Sequence, residues 1–110
     1  MFTLNLEHHF SSAHQLTNAY DNKCNDSIHG HNWKVLVEIK TNELINGMVV
    51  DFTKLKEIID QLDHKNLNMV LDFEPTAENI VEYLWQQISG LYGGGDRTWL
   101  VKVILWEADK

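Results

Sequence analysis

The chain has 110 residues, of which 44% are hydrophobic and 23% are charged, and its formal net charge is −7. These values are typical of a globular protein, and we expect residues 1–110 to form a single domain. The negative charge argues against nucleic acid or an anionic membrane surface as a partner, and no apolar run reaches the roughly 20 residues of a membrane helix. The single cysteine excludes a disulfide within the chain, and the first residues lack the pattern of a signal peptide. The sequence therefore predicts a cytoplasmic protein.

The first part of the chain predicts two β-strands. Residues 2–14 alternate between apolar and polar side chains, and His14 at the end has the parity of the apolar set. A polar stretch at 15–28 predicts a long loop. In the second strand the apolar residues continue the parity of His29 and His31, and they are Trp33, Val35, Val37 and Ile39. If the strands pair antiparallel, the end of the first lies beside the start of the second.

Two helices are predicted next. Asn46-Gly47 is a turn signal, and Asp51 is expected to cap a helix that runs to about Leu62. Thr76, directly after the only proline, is expected to cap the second helix. Apolar residues recur at helical spacing in both segments, so each helix should bury one face.

The last predicted strand, at about 99–107, is apolar on both of its faces. Two helices can cover one face of a small sheet, and a second subunit is the simplest cover for the other face. The order strand, strand, helix, helix, strand predicts an α+β domain with an antiparallel sheet and two helices on one face. We therefore expect a homo-oligomer.

Three histidines are expected to meet at one end of this sheet. His29 and His31 are separated by one glycine, so they share a face of their strand. His14 reaches the same end and face in an antiparallel pair. Three neutral imidazoles form a zinc site that leaves a fourth position for water or substrate. The alternative is structural, because a histidine on an apolar face is more often a hydrogen-bonded core residue.

Cys24 lies in the polar loop, a few residues before His29. A thiol near a dication and imidazoles has a depressed pKa, and its thiolate can remove a proton from a substrate carbon. Two alternatives stay open. Cys24 is either a fourth zinc ligand, which would make the site structural, or an exposed thiol without a role.

Two further candidate sites have polar residues at the end of a predicted helix or strand. If Asp63 orients the ring of His64, that imidazole becomes a competent acid or base near neutral pH; otherwise the pair is solvated charge. Glu107, at the end of the last strand, can accept two parallel hydrogen bonds from an amidine-like ring edge, as in guanine or pterin.

Five segments, taken together, resemble the 6-pyruvoyl-tetrahydropterin synthase family, which includes 6-carboxytetrahydropterin synthase. They are Phe10-Ser11-Ser12-Ala13-His14, Cys24 with His29-Gly30-His31, Gly47-Met48-Val49-Val50-Asp51-Phe52, Leu62-Asp63-His64-Lys65-Asn66-Leu67-Asn68 and Pro75-Thr76-Ala77-Glu78-Asn79. They follow the family's order, and the match spans nearly the whole chain.

The resemblance implies the tunnelling fold (T-fold), in which small subunits join their sheets into a barrel, commonly a hexamer built from two trimers. It also implies a metal site and a set of catalytic and pterin-binding residues. Zn²⁺ would be held by His14, His29 and His31; Cys24 would be the base, with His64 as the partner acid or base oriented by Asp63; Glu107 would anchor the pterin ring, with Thr76 nearby.

The implied reaction is the zinc-dependent conversion of 7,8-dihydroneopterin triphosphate to 6-carboxy-5,6,7,8-tetrahydropterin, with release of acetaldehyde and triphosphate, as in queuosine biosynthesis. Lys23 and Lys65 flank the implied catalytic residues and are the expected contacts for triphosphate. One alternative is 6-pyruvoyl-tetrahydropterin synthase, which eliminates triphosphate without that cleavage. The other is a non-catalytic, zinc-stabilised oligomer that binds pterin.

Overall fold

The computed structural model describes residues 1–14, 29–92 and 94–108, with the backbone alone for His14, His29 and Ala108. Within these ranges the chain forms four strands and three helices. In chain order they are β1 (Phe2–His14), β2 (His29–Thr41), α1 (Phe52–Asp60), β3 (Lys65–Asn66), α2 (Leu67–Val70), α3 (Ala77–Ser89) and β4 (Trp99–Ala108). The predicted α+β class is confirmed, while the predicted loop at 15–28, with Cys24, lies outside the described residues.

The four strands form one sheet in the order β3-β1-β2-β4. As predicted, β1 and β2 pair antiparallel, from Phe2 opposite Thr41 to His14 opposite His29. β4 is antiparallel to β2, but β3 runs parallel to the end of β1. The expectation of a purely antiparallel sheet is therefore wrong, because β3 makes the sheet mixed.

The expectation of two helices is also incomplete, because the short α2 is a third. The chain reverses at His64, whose φ of 57° lies in the left-handed region. Lys65–Asn66 then pairs with β1, and Asn66 Oδ1 accepts the N–H of Asn68 at the start of α2. Segments of two and four residues are too short to show hydrophobic periodicity, so the sequence carries no signal for them.

Local signals in the sequence position the longer elements. Asp51 Oδ1 accepts the N–H of Thr53 at 2.9 Å and caps α1. Thr76 Oγ1 accepts the N–H of Asn79 at 3.1 Å and caps α3. At Asn46-Gly47 both residues have positive φ, as a two-residue type I′ turn requires. Both predicted caps and the predicted turn are confirmed.

The core lies between one face of the sheet and the two longer helices. Its buried residues are Phe10, Trp33, Val35, Val37, Ile39, Leu55, Ile59, Leu62, Leu67, Leu71, Ile80, Leu84 and Ile88. The opposite sheet face keeps Leu100 and Trp106 of β4 exposed. None of the helices in the described ranges has the length and apolar composition needed to cross a bilayer.

Candidate metal and substrate site

The register of β1 and β2 brings three histidine positions to one end of the sheet. His14 is the direct partner of His29, and His31 is opposite Ser12. Opposed Cα atoms in an antiparallel pair are about 4.5–5.5 Å apart. Because side chains alternate, all three positions share the sheet face of Phe10 and Trp33, just beyond the last core layer.

His31 is held between a carboxylate and an aromatic ring. Its side chain is 17% exposed, and its Nδ1 lies 4.0 Å from Oε1 of Glu107. On the core side the imidazole contacts the Trp33 ring, with 5.9 Å between ring centroids. Glu107 reaches this position because it pairs with Trp33 across β2 and β4. The structure thus brings two of the predicted site residues together.

The Trp33 ring beneath His31 is itself fixed. It stacks on Phe10 with 5.8 Å between centroids and 11° between planes. Its Nε1 donates to the Oγ of Ser12 at 2.8 Å, and both side chains are buried. A buried, hydrogen-bonded indole has little freedom to shift, so the floor of the site is rigid.

Asp63 and His64 form a clamp on the backbone of β1. Asp63 Oδ1 accepts the N–H of Ser11 at 2.8 Å, and the His64 N–H donates to the Ser11 carbonyl at 2.6 Å. The other carboxylate oxygen, Asp63 Oδ2, lies 3.0 Å from His64 Nδ1. A proton on Nδ1 that is donated to this carboxylate leaves Nε2 as the basic nitrogen of a neutral ring.

The clamp sets the charge of its carboxylate. The N–H of Ser11 is the main cause that holds the pKa of Asp63 below its ordinary value; burial opposes this effect, and the neighbouring His64 adds to the lowering. Asp63 is therefore an anion at neutral pH. The His64 side chain is 83% exposed, so its ring can exchange protons with solvent or with a ligand.

A cleft of about 400 Å³ connects the histidine end of the sheet with this clamp. The described residues that line it are Ser11, Ser12, Ala13, Gly30, His31, Asn32, His64, Lys65 and Asn66. None of them is acidic, although the chain as a whole carries a net charge of −7. The lining therefore suits an anionic ligand better than the rest of the surface does.

The structure does not place the remaining predicted site residues in the described lining of the cleft. The hydroxyl oxygen of Thr76 accepts the hydrogen bond that caps α3, and Thr76 is not among the described residues that line the cleft. Cys24 and Lys23 lie outside the described residues. No three described His, Cys, Asp or Glu side chains form a metal cluster, and the described side chains do not include those of His14 and His29.

Sequence reasoning gave no role to several residues that build the site. Ser11 supplies both backbone groups of the clamp, and its Oγ donates to Asn32 Oδ1 at 2.7 Å. Ser12 holds the Trp33 ring. Ser12 has the same parity on β1 as Phe10 and His14, so the alternation could have predicted that its side chain faces the core. Nothing in the sequence indicates the backbone contacts of Ser11.

The family model of 6-pyruvoyl tetrahydropterin synthase matches residues 3–110. The chain belongs to this family. The resemblance drawn from the sequence segments is therefore confirmed, and the chain is a member of a family of pterin-processing enzymes.

Individual relatives differ in named activity. The dihydroneopterin monophosphate aldolase of Pyrococcus furiosus is 35% identical over 89 residues, covering 77% of this chain and 75% of the aldolase. A protein of Archaeoglobus fulgidus provisionally named 6-carboxy-5,6,7,8-tetrahydropterin synthase is 39% identical over 84 residues, covering 73% and 70% of the two chains. Among solved structures, the 6-pyruvoyl tetrahydropterin synthase of Caenorhabditis elegans superposes with a TM-score of 0.64 at 25% identity, covering 98% of this chain and 96% of that one.

Proposed function

We propose that this chain is a zinc-dependent carbon–carbon lyase of the cytoplasm. It converts 7,8-dihydroneopterin triphosphate to 6-carboxy-5,6,7,8-tetrahydropterin, with release of acetaldehyde and triphosphate, in queuosine biosynthesis. The observation that carries this proposal is the β1–β2 register, which pairs His14 with His29 and puts His31 on the same face. Family membership and the name of the Archaeoglobus relative support the pterin substrate.

The three histidine positions fit a zinc ion. Residues 29 and 31 are one strand alternation apart, roughly 7 Å along β2, and residue 14 faces residue 29 across the ladder. Glu107 Oε1 lies 4.0 Å from Nδ1 of His31, so a negative charge stands close to this imidazole without a hydrogen bond over that distance. Zinc bound here supplies Lewis acidity for negative charge that develops on the oxygens of the substrate side chain.

Proton transfer is assigned to His64 and Cys24. Asp63 is ionised at neutral pH and accepts from His64 Nδ1, so the basic Nε2 of His64 is left for a ligand in the cleft. In this proposal the thiolate of Cys24 takes a proton from the pterin side chain, and His64 returns or removes a proton on the other side.

The two ends of the substrate need different partners. Glu107 is proposed to anchor the pterin ring, with Thr76 contributing in the assembled protein. Lys65 lines the same cleft as His31 and His64, so it is the proposed contact for the triphosphate, together with Lys23. The described residues that line this cleft include no acidic side chain, which supports an anionic substrate.

The assembly proposed is a homo-oligomer in which sheets join into a T-fold barrel, as two trimers that form a hexamer. β4 is an edge strand, and it exposes Leu100 and Trp106 on the sheet face that lacks helices. A second subunit would remove this apolar surface from water.

Product analysis on one purified, metal-analysed sample tests the reaction. With 7,8-dihydroneopterin triphosphate we expect acetaldehyde and the 6-carboxy product in equal amounts. Triphosphate without acetaldehyde would identify the pyruvoyl-type synthase instead. The Pyrococcus relative makes aldolase activity a further candidate, and aldol cleavage of dihydroneopterin monophosphate would favour it. No product, with unfolding on zinc removal, would indicate the non-catalytic oligomer.

A further inference from the structure

A buried cation lies at the opposite end of the sheet from the histidines. Arg97 precedes β4, whose first residue, Trp99, pairs with Thr41 at the end of β2. The twelve residue steps from His29 to Thr41 place this end roughly 40 Å from the candidate active site. Only 9% of the Arg97 surface is exposed. Arginine is almost never buried to this degree unless it is paired with an anion.

Two aromatic rings hold the Arg97 side chain in place. The guanidinium carbon lies 4.7 Å from the centroid of the Trp99 ring and 5.5 Å from that of the Tyr92 ring. The Tyr92 hydroxyl donates to the carbonyl of Gly95 and contacts that of Arg97, which fastens the loop before β4. The N–H of Thr98 donates to Asn42 Oδ1 at 2.8 Å. The cation is thus preorganised rather than loosely folded onto the surface.

The donors of this cluster are unfilled. Arg97 Nε and Nη1 are buried and have no hydrogen-bond partner among the described residues, and the same is true of Trp99 Nε1. Within the described part of the chain Arg97 forms no ion pair, although the sequence contains 16 acidic residues. The π faces offset part of the lost hydration of a guanidinium, but they cannot accept its in-plane N–H groups. The cluster has positive charge and donors but lacks an acceptor.

We propose that the Arg97 cluster, defined by Tyr92, Arg97 and Trp99, binds a small oxyanion of the phosphate class. Phosphate oxygens accept several charge-assisted hydrogen bonds at once, which is what unfilled guanidinium and indole donors require. Tyr92 and Trp99 are half-buried, so the cluster lies close to the protein surface and within reach of an ion from solution. The cluster is separate from the cleft lined by His31 and His64, so it does not depend on the proposed reaction.

Calorimetric titration and thermal unfolding with inorganic phosphate test the site. Ionic strength is held constant with sodium chloride. We expect saturable binding, with a rise in Tm of about 5 °C at ten times the dissociation constant. In Arg97→Met, where an apolar side chain of similar length packs between the rings, this binding should be lost. Arg97→Lys, which keeps the charge but not the planar donors, should bind at least tenfold more weakly.

Lys102→Met is the matched control, because it removes one exposed positive charge from β4, the strand that Arg97 precedes. It should bind phosphate as the unaltered chain does. Phosphate binding that persists in Arg97→Met would place the ion elsewhere and overturn the proposal. The proposal is also overturned if the unaltered chain does not bind phosphate and the Arg97→Met substitution dissociates the oligomer. The counter-ion of Arg97 would then be a carboxylate of another subunit. Calorimetry reports on each variant without any pterin turnover.

Discussion

The covered and the overhanging parts of the β1–β2 ribbon follow different physical rules. Strands of 13 residues span roughly 43 Å, whereas α3, also 13 residues, spans roughly 20 Å. Where helices cover the ribbon, side chains such as Val35 and Ile39 are fully buried. Beyond Phe10 and Trp33 neither strand contributes to the described core, and the residues there include imidazoles, hydroxyls and amides. Among the described residues, this end of the ribbon contributes no side chain to the apolar core, so its positions can carry polar groups that serve chemistry.

The overhang is also where backbone strain is found. His64 takes a left-handed φ, which is costly for a residue with a Cβ, and the Asp63 clamp on Ser11 compensates for it. The hydrogen bond from Trp33 Nε1 to Ser12 Oγ joins the first residue layer of the overhang to the covered core, where buried side chains serve packing. Substitutions in the two parts should therefore fail differently: activity is lost in the overhang and stability in the covered part.

The largest effect is expected for His31→Ala. Removing one of three proposed ligands should lower zinc affinity by more than the roughly 100-fold seen when an outer partner is lost, and turnover should fall to background. Metal analysis and a product assay on the same sample measure both. His9→Ala is the control, since His9 is exposed on the other face of β1. Unchanged zinc content in His31→Ala would disprove the three-histidine site.

Asp63→Asn should lower kcat by about 10²–10⁴, because the amide no longer holds the His64 proton on Nδ1. The amide oxygen can still accept from Ser11, so the fold should survive. Asp60→Asn provides a matched control, because Asp60 Oδ1 contacts His8 Nε2 at 2.8 Å outside the cleft. Equal losses in the two variants would show that the Asp63–His64 pair has no special role.

Leu84→Ala tests the covered part. Leu84 is fully buried on α3, and the cavity should lower the free energy of unfolding by about 2–5 kcal/mol. Folded Leu84→Ala should keep its zinc and its product. Gln87→Ala, exposed on the same helix, should change stability by less than about 0.5 kcal/mol. Urea unfolding measures both changes in stability. A Leu84→Ala chain that is folded but has lost its zinc would contradict the separation of stability in the covered part from activity in the overhang.

Thr76→Ala separates the helix cap from the proposed pterin contact. Loss of the cap should cost about 1 kcal/mol, and Thr76→Ser should restore it. If the cap is the whole role, KM for the pterin stays unchanged in both variants. A raised KM in Thr76→Ala without a change in unfolding free energy would place the hydroxyl at the substrate.

The smallest effect is the pH dependence of the clamp. The folded pKa of Asp63 is lowered from its ordinary value near 3.8, so the ionised carboxylate stabilises the fold. This contribution is fully present above the unfolded pKa and is lost as the pH falls through the lower folded value. The stability difference between the unaltered chain and Asp63→Asn should therefore be constant from pH 7 to 5 and shrink below about pH 4. If this stability difference grows as the pH falls, the pKa of Asp63 is not lowered by folding, and the prediction is wrong.

The sequence by itself determined the elements whose signals are local. Alternation over 2–14 and from about residue 28 onward predicted both long strands, and their parity predicted that His14, His29 and His31 share a face. Asp51 and Thr76 cap their helices because a side-chain oxygen next to free N–H groups is a short-range arrangement. The family was also readable from short segments, since each keeps its residues in a fixed spacing.

Only the tertiary structure decided how distant parts meet. β3 pairs with β1 in parallel because the reversal at His64 carries the chain back, and two residues carry no periodic signal. The contacts of Asp63 with Ser11 and of His31 with Glu107 join residues far apart in sequence, so no local pattern encodes them. The burial of Arg97 is likewise a property of the packed molecule, because exposure depends on every element that surrounds a side chain.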